Sequence, residues 1–389
     1  MVSLRWLILP VSLLSVPAQA EDEALPEGGA PLTVAPMPEA AVPGLEAPKA
    51  EEKQEAAKIE VAVGGYVRVV AEAIENDALT YIGRNDGFRL ADARIEIGAS
   101  YGEKTRGEIS VEGAVASAEA RNDPNAKLSV GLRDAWLEYD FTKKLQLRIG
   151  RFKAPYDSGE LEATEERVLI DAPLESRGVR ATQGLETEGL SVGRQLGMML
   201  HKERLGYSKD GFDMGYAFAL TNGRTGNLAL NDNESVAGFA RISAFVGPWV
   251  ALSAAGYLDG RTVGELPNLY EENAMGLELS LKLTLDDLTV EGQALLQNTE
   301  FVTSEVDDIM AFGFHGQFSY RIWDLRFAYR YGWYDPNDRF DLDQVSEHTV
   351  GIAYLPKDTP LVFSLEGTLA DEQRDLANNR LDALAQLKF

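Results

Sequence analysis

Histidine is the side chain best suited to moving protons near neutral pH, and this chain has three, His201, His315 and His348. Each lies alone within or beside a strand-like segment. His315 has Ser319 on the same side of an alternating stretch, four residues away. Nucleophilic hydrolysis on a strand face calls for Ser two residues from His on one side, with a polar group orienting the imidazole. That set is absent from the sequence, so no catalytic residue is assigned, and His348 reads as a rim residue. The stretch Asp335-Pro-Asn337-Asp338-Arg-Phe-Asp341-Leu-Asp343 has a hint of calcium-loop spacing. It lacks the central Gly and the closing Glu of such a loop, and reads as an acidic turn facing solvent. There are no cysteines, which excludes thiolate metal sites and suits an oxidising compartment. Gly64-Gly65 falls mid-strand rather than in a nucleotide-binding turn, so no metal or cofactor is implied.

The charges that remain form a pattern suited to handling ions. From Ala154 to Thr182 run Asp157, Glu160, Glu162, Glu165, Glu166, Asp171 and Glu175, against Arg167, Arg177 and Arg180. This is seven acids to three bases on one long connection. A second set alternates along strand-like segments: Arg68, Arg94, Arg106, Arg148, Lys282, Arg326 and Arg330. They are interleaved with Glu60, Asp92, Glu96, Glu108, Glu112, Asp134, Glu138, Glu278 and Glu291.

The elements that carry these charges are short strands with two unlike faces. Met275, Leu277, Leu279, Leu281, Leu283 and Leu285 oppose Glu278, Ser280, Lys282 and Thr284. Leu325, Phe327, Tyr329, Tyr331 and Trp333 oppose Arg326, Ala328, Arg330 and Gly332. Ala91, Ala93, Ile95, Ile97 and Ala99 oppose Asp92, Arg94 and Glu96. The last segment sets Leu381, Ala383, Ala385, Leu387 and Phe389 against Asp382, Gln386 and Lys388, with Leu384 out of pattern. One face suits lipid and the other water, the signature of an all-β transmembrane antiparallel barrel with a wet interior. A closing strand that ends on Phe resembles those of bacterial outer-membrane barrels.

Connections alternate between short (Gly102–Lys104, Thr142–Lys144, Gly247–Pro248, Asp286–Asp287, Arg321–Asp324) and long (Asn76–Asp86, Asn222–Asn233, Gly260–Glu272, Pro336–Gln344, Glu372–Asn379). Short periplasmic turns and longer outer loops predict that rhythm, and it gives about sixteen strands from Ile59 to Phe389. Tyr101, Tyr139, Phe141, Phe245, Trp249, Tyr320, Trp323 and Tyr354 sit near turns and are expected at both rims, as an interfacial aromatic belt requires. One connection breaks the rhythm, running for about forty residues from Ala154, and a loop so long is usually functional or disordered. It follows the fifth strand, as the third outer loop.

The N-terminus supports export. Arg5, the apolar run Trp6–Val16 and Ala18-Gln19-Ala20 read as a signal peptide over residues 1–20. Residues 21–58, rich in Pro, Ala and Glu, read as a disordered periplasmic extension, with a helical turn at Ala50–Lys58. Residues 59–389 then form the barrel. The net charge of −25 argues against nucleic acid as a partner.

Two motifs point to a family. Leu147-Arg-Ile-Gly150-Arg151-Phe152-Lys153-Ala-Pro155 continues through Glu160, Glu165-Glu166-Arg167 and Arg177-Gly178-Val179, and is preceded by Leu132-Arg-Asp-Ala-Trp136-Leu-Glu-Tyr139. This run resembles the phosphate-selective porin O and P family, where such a strand leads into an inward-folded third loop. The resemblance implies a sixteen-stranded, homotrimeric channel in the bacterial outer membrane, in contact with lipid and lipopolysaccharide. It places the constriction in the loop 154–183, at Asp157, Glu160, Glu162, Glu165, Glu166, Arg167, Asp171, Glu175 and Arg177. Selective anion passage needs cationic donors, and rings of carboxylates favour cations. The expectation is therefore passive diffusion of small hydrophilic solutes or ions through a water-filled pore, weakly cation-preferring or unselective. An anion-specific channel for phosphate or polyphosphate would use Arg148, Arg326 and Arg330 as its basic lumen residues. The remaining alternatives are a non-conducting structural barrel and a soluble periplasmic binding module.

Overall fold

The computed structural model describes residues 58–75, 86–115, 128–180, 186–202, 211–223, 235–265, 268–302, 307–372 and 376–389. The expected signal peptide, the Pro-rich extension and its helical turn lie outside the described residues, save Lys58. The strands in chain order are β1 (Ile59–Ile74), β2 (Gly87–Tyr101), β3 (Thr105–Val115), β4 (Leu128–Thr142), β5 (Leu145–Lys153), β6 (Arg194–Lys202), β7 (Phe212–Thr221) and β8 (Ala237–Val246). They continue as β9 (Val250–Glu265), β10 (Asn268–Leu285), β11 (Leu288–Phe301), β12 (Ile309–Ile322), β13 (Leu325–Asp335), β14 (Val345–Tyr354), β15 (Leu361–Glu372) and β16 (Arg380–Lys388). Each pairs antiparallel with the next, and β1 pairs with β16, which closes a barrel. Closure leaves no sheet edge for lipid to meet.

The period-two pattern decides which side faces out. Along β10, Leu277 and Leu279 are exposed on the outer face while Glu278 is buried inside. The closing seam depends on one glycine. Gly65 and Phe389 exchange backbone hydrogen bonds of 3.0 and 2.9 Å. A Cβ on Gly65 would lie 2.2 Å from the Arg94 carbonyl oxygen and 2.9 Å from Cζ of the Phe389 ring. The terminal aromatic can pack at the seam only because that side chain is missing.

Three expectations change. Between Arg68 and Val69 the register with β2 shifts, from Arg68↔Asp92 to Val69↔Leu90. Ala91 is the extra residue of this bulge, and it packs inward against Val70, Ile170 and Leu384 rather than outward with Ile95. The expected long loop Gly260–Glu272 is mostly strand: β9 and β10 stay paired through Gly260↔Asn273 and Arg261↔Glu272. Cross-strand pairs such as the Arg261–Glu272 ion pair extend this hairpin past the roughly 9–11 residues that span a bilayer. The third concerns the aromatic belt. Tyr101, Tyr139, Phe141, Trp249, Tyr320, Trp323 and Tyr354 are exposed, all beside short turns. They form a belt at the short-turn rim alone, whereas Phe245 points into the lumen.

Replacing Gly65 with Val forces β1 and β2 apart at the seam. We expect a loss of about 1–3 kcal/mol, as for other overpacked sites, seen as a lower urea midpoint for the heat-modifiable folded band. An unshifted midpoint would show that the seam absorbs the extra carbons.

Candidate pore constriction

The described parts of the connection, 154–180 and 186–193, turn into the barrel instead of out of it. Its backbone is held in two single-turn helices, α1 (Ser158–Leu161) and α2 (Leu174–Arg177), with a 3-10 turn at Thr164–Glu166 between them. Apolar side chains seat it on the wall. Tyr156 meets Tyr257 edge-on at 4.8 Å, and its hydroxyl donates to the Leu277 carbonyl at 3.1 Å. Leu174 and Val179 join a buried cluster with Phe239, Leu295, Tyr334 and Val345 from the wall. Ile170 packs on Val70 and Leu384. Leu384, the residue that breaks the alternation of the closing strand, is thus a seat for the loop.

Asp157 is fully buried and adopts a positive φ of 61°. Its Oδ1 accepts hydrogen bonds from Gln293 at 2.7 Å, Ser176 at 3.0 Å and the Glu160 amide at 3.2 Å, which caps α1. The wall answers in kind: Glu278 Oε1 accepts from the Ser158 amide at 2.9 Å, and Gln293 Oε1 from Gly159 at 2.9 Å. Burial pushes the Asp157 carboxyl up to about 6, with Glu160 and Glu175 adding to the shift. Glu175 is also buried, 2.6 Å from His315 Nδ1. Gly313 makes room for it, since a Cβ there would lie 2.4 Å from that of Glu175. Two histidines that read as isolated are thus paired: His315 with Glu175, and His201 with Glu138 at 2.8 Å.

The other loop acids are also fasteners. Glu160 meets Arg167 at 3.3 Å and Arg194 at 3.6 Å, and Glu162 meets Lys282 at 3.4 Å. Glu165 and Glu166 both approach Lys388, at 3.6 and 3.2 Å. Asp171 bonds Arg180 at 2.9 Å and Arg380 at 3.4 Å. Burial works against its ionised form, yet the guanidinium groups of Arg180, Arg380 and Arg177 hold it well below the usual carboxylate range. Arg177 grips Glu347 at 2.6 Å. The loop acids therefore do not form a free carboxylate ring.

Arg148, Arg326 and Arg330 do not form one cluster. Arg326 donates to the Val168 carbonyl at 3.0 Å and to that of Arg167 at 3.3 Å, and Arg330 to that of Asp171 at 3.0 Å. Both hold loop backbone. Arg148 faces a cavity of about 580 Å³ between the loop and the wall of β2–β8, and its guanidinium lies 4.1 Å over the Trp136 ring. A second cavity, of about 640 Å³, lies on the other side of Leu161, which lines both. Sequence reasoning missed Arg194, Arg241 and Lys153 at the first cavity, although Arg241 stands on the inward face of the alternation in β8.

Around the first cavity three ion pairs turn the cation outward, whereas those of Arg94 and Arg194 leave the carboxylate the more accessible member. Glu138 is bonded by Arg106 at 2.5 Å and by Arg148 at 2.7 Å, and its own side chain is 0% accessible while theirs are 38% and 17%. Arg241 meets Glu278 at 2.6 Å with 13% accessibility against 0%. Arg94 and Arg194 are deeply buried beside Glu112 and Asp134. Seven cationic side chains line the cavity against four carboxylates.

A closed sixteen-strand antiparallel barrel whose third outer connection folds into the lumen is the architecture of outer-membrane porins. The sequence profile of the phosphate-selective porin O and P family matches residues 61–387, and the chain belongs to that family. No curated protein matches it by sequence. Among solved structures it is similar to an anion-selective porin from Comamonas acidovorans, with a TM-score of 0.62 and 12% identity over 85% of this chain and 100% of that one. The DcaP channel of Acinetobacter baumannii gives 0.59 and 14%, over 87% and 99%. The Salmonella typhi OmpF complex with daunomycin gives 0.55 and 13%, over 86% and 98%. At these identities the likeness is one of fold.

Two variants test how the loop is held. A carboxyl whose folded value is raised costs stability when ionised, so the penalty of Asp157 is present above about pH 6 and lifts as pH falls toward the ordinary range. Asp157→Asn keeps the acceptor and tolerates the positive φ. It should melt above the wild type at pH 8 in detergent, with the difference vanishing between pH 6 and 4; a constant difference would contradict the buried carboxylate. Glu175→Ala leaves His315 without its partner, at a cost of about 1–3 kcal/mol. Lower thermal stability and noisier single-channel current are expected, and neither should appear if the pair is idle.

Proposed function

We propose that this protein is an outer-membrane diffusion channel that prefers anions. Its family and fold are those of channels, and the outer membrane is the compartment they indicate. The preference rests on one observation: in the pairs Arg106–Glu138, Arg148–Glu138 and Arg241–Glu278, the cation is the accessible member and the carboxylate the buried one. An ion beside these three pairs meets guanidinium edges first, and Coulomb interaction over a few ångströms outweighs charges farther away. The carboxylates of the loop, which suggested cation preference, are spent on holding it. The segment from Asp157 to Arg177 is the constriction in this reading, and Leu161 stands between its two sides.

The exposed apolar outer face contacts lipid and, beyond the rim, lipopolysaccharide. Assembly as a homotrimer is part of the proposal, as are export by a signal peptide over residues 1–20 and a periplasmic extension over 21–58.

The reversal potential of the refolded protein in a planar bilayer under a potassium chloride gradient tests the preference. It should lie on the anion side. Combining Arg106→Gln, Arg148→Gln and Arg241→Gln should move it toward the cation side by a factor of about 3 or more in permeability ratio. A wild-type value on the cation side would overturn the proposal.

A further inference from the structure

The 580 Å³ cavity beside the loop has two unlike sides. On the wall, Arg106 and Arg148 converge on the same carboxylate, Glu138, so their guanidinium groups are neighbours. The loop presents Pro155, Leu161 and Ala163 to this cavity. Most of its acids are engaged outside the lining or in ion pairs: Glu162 with Lys282, Glu160 with Arg167 and with Arg194 of the lining, and Asp157 in the buried cap. Glu165 is the loop carboxylate that remains in the lining, near Lys388. The wall also brings Glu96, Glu108 and Asp134 to the lining, and between its arginines and the apolar loop stand Trp136, Tyr216 and Phe245. Phe245 breaks the rule that aromatics beside short turns face lipid. The two characters meet where the Arg148 guanidinium lies 4.1 Å over the Trp136 ring.

A small inorganic anion can use the arginines but leaves the apolar surface wet. A carboxylate on an apolar body can use both, because removing apolar area from water adds to the charge attraction. Cavities of a few hundred Å³ with apolar walls and a few placed polar groups are the usual shape of small-molecule sites.

The geometry points to organic anions that carry a flat apolar group, of the aromatic carboxylate class, as the solutes this passage favours. The carboxylate lies toward Arg106 and Arg148, and the ring against Trp136, Phe245 and Leu161. The inference rests on the anion-preferring reading and adds to it a requirement for apolar surface. Inorganic phosphate, which has no apolar part, is the weaker ligand of this cavity.

Chloride current through the full-length protein in planar bilayers, with benzoate, acetate or inorganic phosphate added to one side, tests this. Benzoate should halve the current at a concentration about tenfold below that needed for acetate, the ratio expected from partial burial of one ring. In Trp136→Ala and in Leu161→Ser that ratio should fall toward one. The ratio compares two ligands on the same channel, so a change in overall conductance does not disturb it. Equal block by benzoate and acetate, or stronger block by phosphate, overturns the inference, as does a ratio unchanged in both variants. A wild-type reversal potential on the cation side would remove the anion-preferring reading and this inference together. An anion-side potential without benzoate preference would remove the inference alone.

Discussion

A chain segment that enters the lumen of a closed barrel has no strand to pair with, yet its backbone amides and carbonyls must still find partners. Here the wall side chains provide them. Arg68 donates to the Ile170 carbonyl at 2.7 Å, Lys153 to those of Glu160 and Glu162, and Gln386 to that of Glu165. Arg326 and Arg330 serve Val168 and Asp171. The complementary acceptors are Glu278 for the Ser158 amide and Glu366 for that of Ile170. The loop is in effect paired to the barrel through charged side chains, and most other features of the lumen follow from that need.

One consequence is a division of the barrel interior. The wall from β10 round through β16 to β1 is largely committed to holding the loop, through Glu278, Gln293, His315, Arg326, Arg330, Glu347 and Arg380. On the wall from β2 to β8, Arg106, Arg148 and Arg241 keep their heads toward open space with Glu138 and Glu278 behind them, while Arg94 and Arg194 are buried. Removing either member of such a buried pair strands the other, so the pairs stabilise chiefly by being complete. The side from which a solute sees a pair then matters as much as the number of charges.

The barrel was legible in the chain because its physics is local. Alternation from Ile59 to Phe389 reports which side of each strand meets lipid, and turn spacing reports where the strands reverse. Leu384 stood out of the alternation, but what it touches, Ile170, lies far away in sequence and could not be read from the strand alone. The errors came where a local rule met a tertiary one. Ala91 was turned inward by a bulge that alternation cannot report, and β9 and β10 ran on through Gly260 and Glu272 because each strand supplied the other's partners. Seven loop acids were visible, but their meaning depended on Lys282, Lys388, Arg380 and His315, which come from three distant strands, β10, β12 and β16. A list of charges in order along the chain carries no information about which of them face each other.

The same point resolves the apparent conflict between a chain of net charge −25 and a passage that favours anions. Charges exposed to electrolyte act over a Debye length of about 8–10 Å at physiological ionic strength, so carboxylates on the outer loops contribute little to the field at mid-barrel. Inside, water is confined and the effective dielectric is lower, so the few groups that line the cavity dominate. Glu138 illustrates how a carboxylate can serve an anion path. By binding Arg106, Arg148 and His201 from behind, it fixes two guanidinium groups at the lumen surface without being accessible there itself. Deleting that carboxylate would not simply make the passage more positive; it would release the arginines it orients. The net charge of the protein and the charge seen by a permeating ion are separate quantities, and the buried half of each ion pair is what separates them.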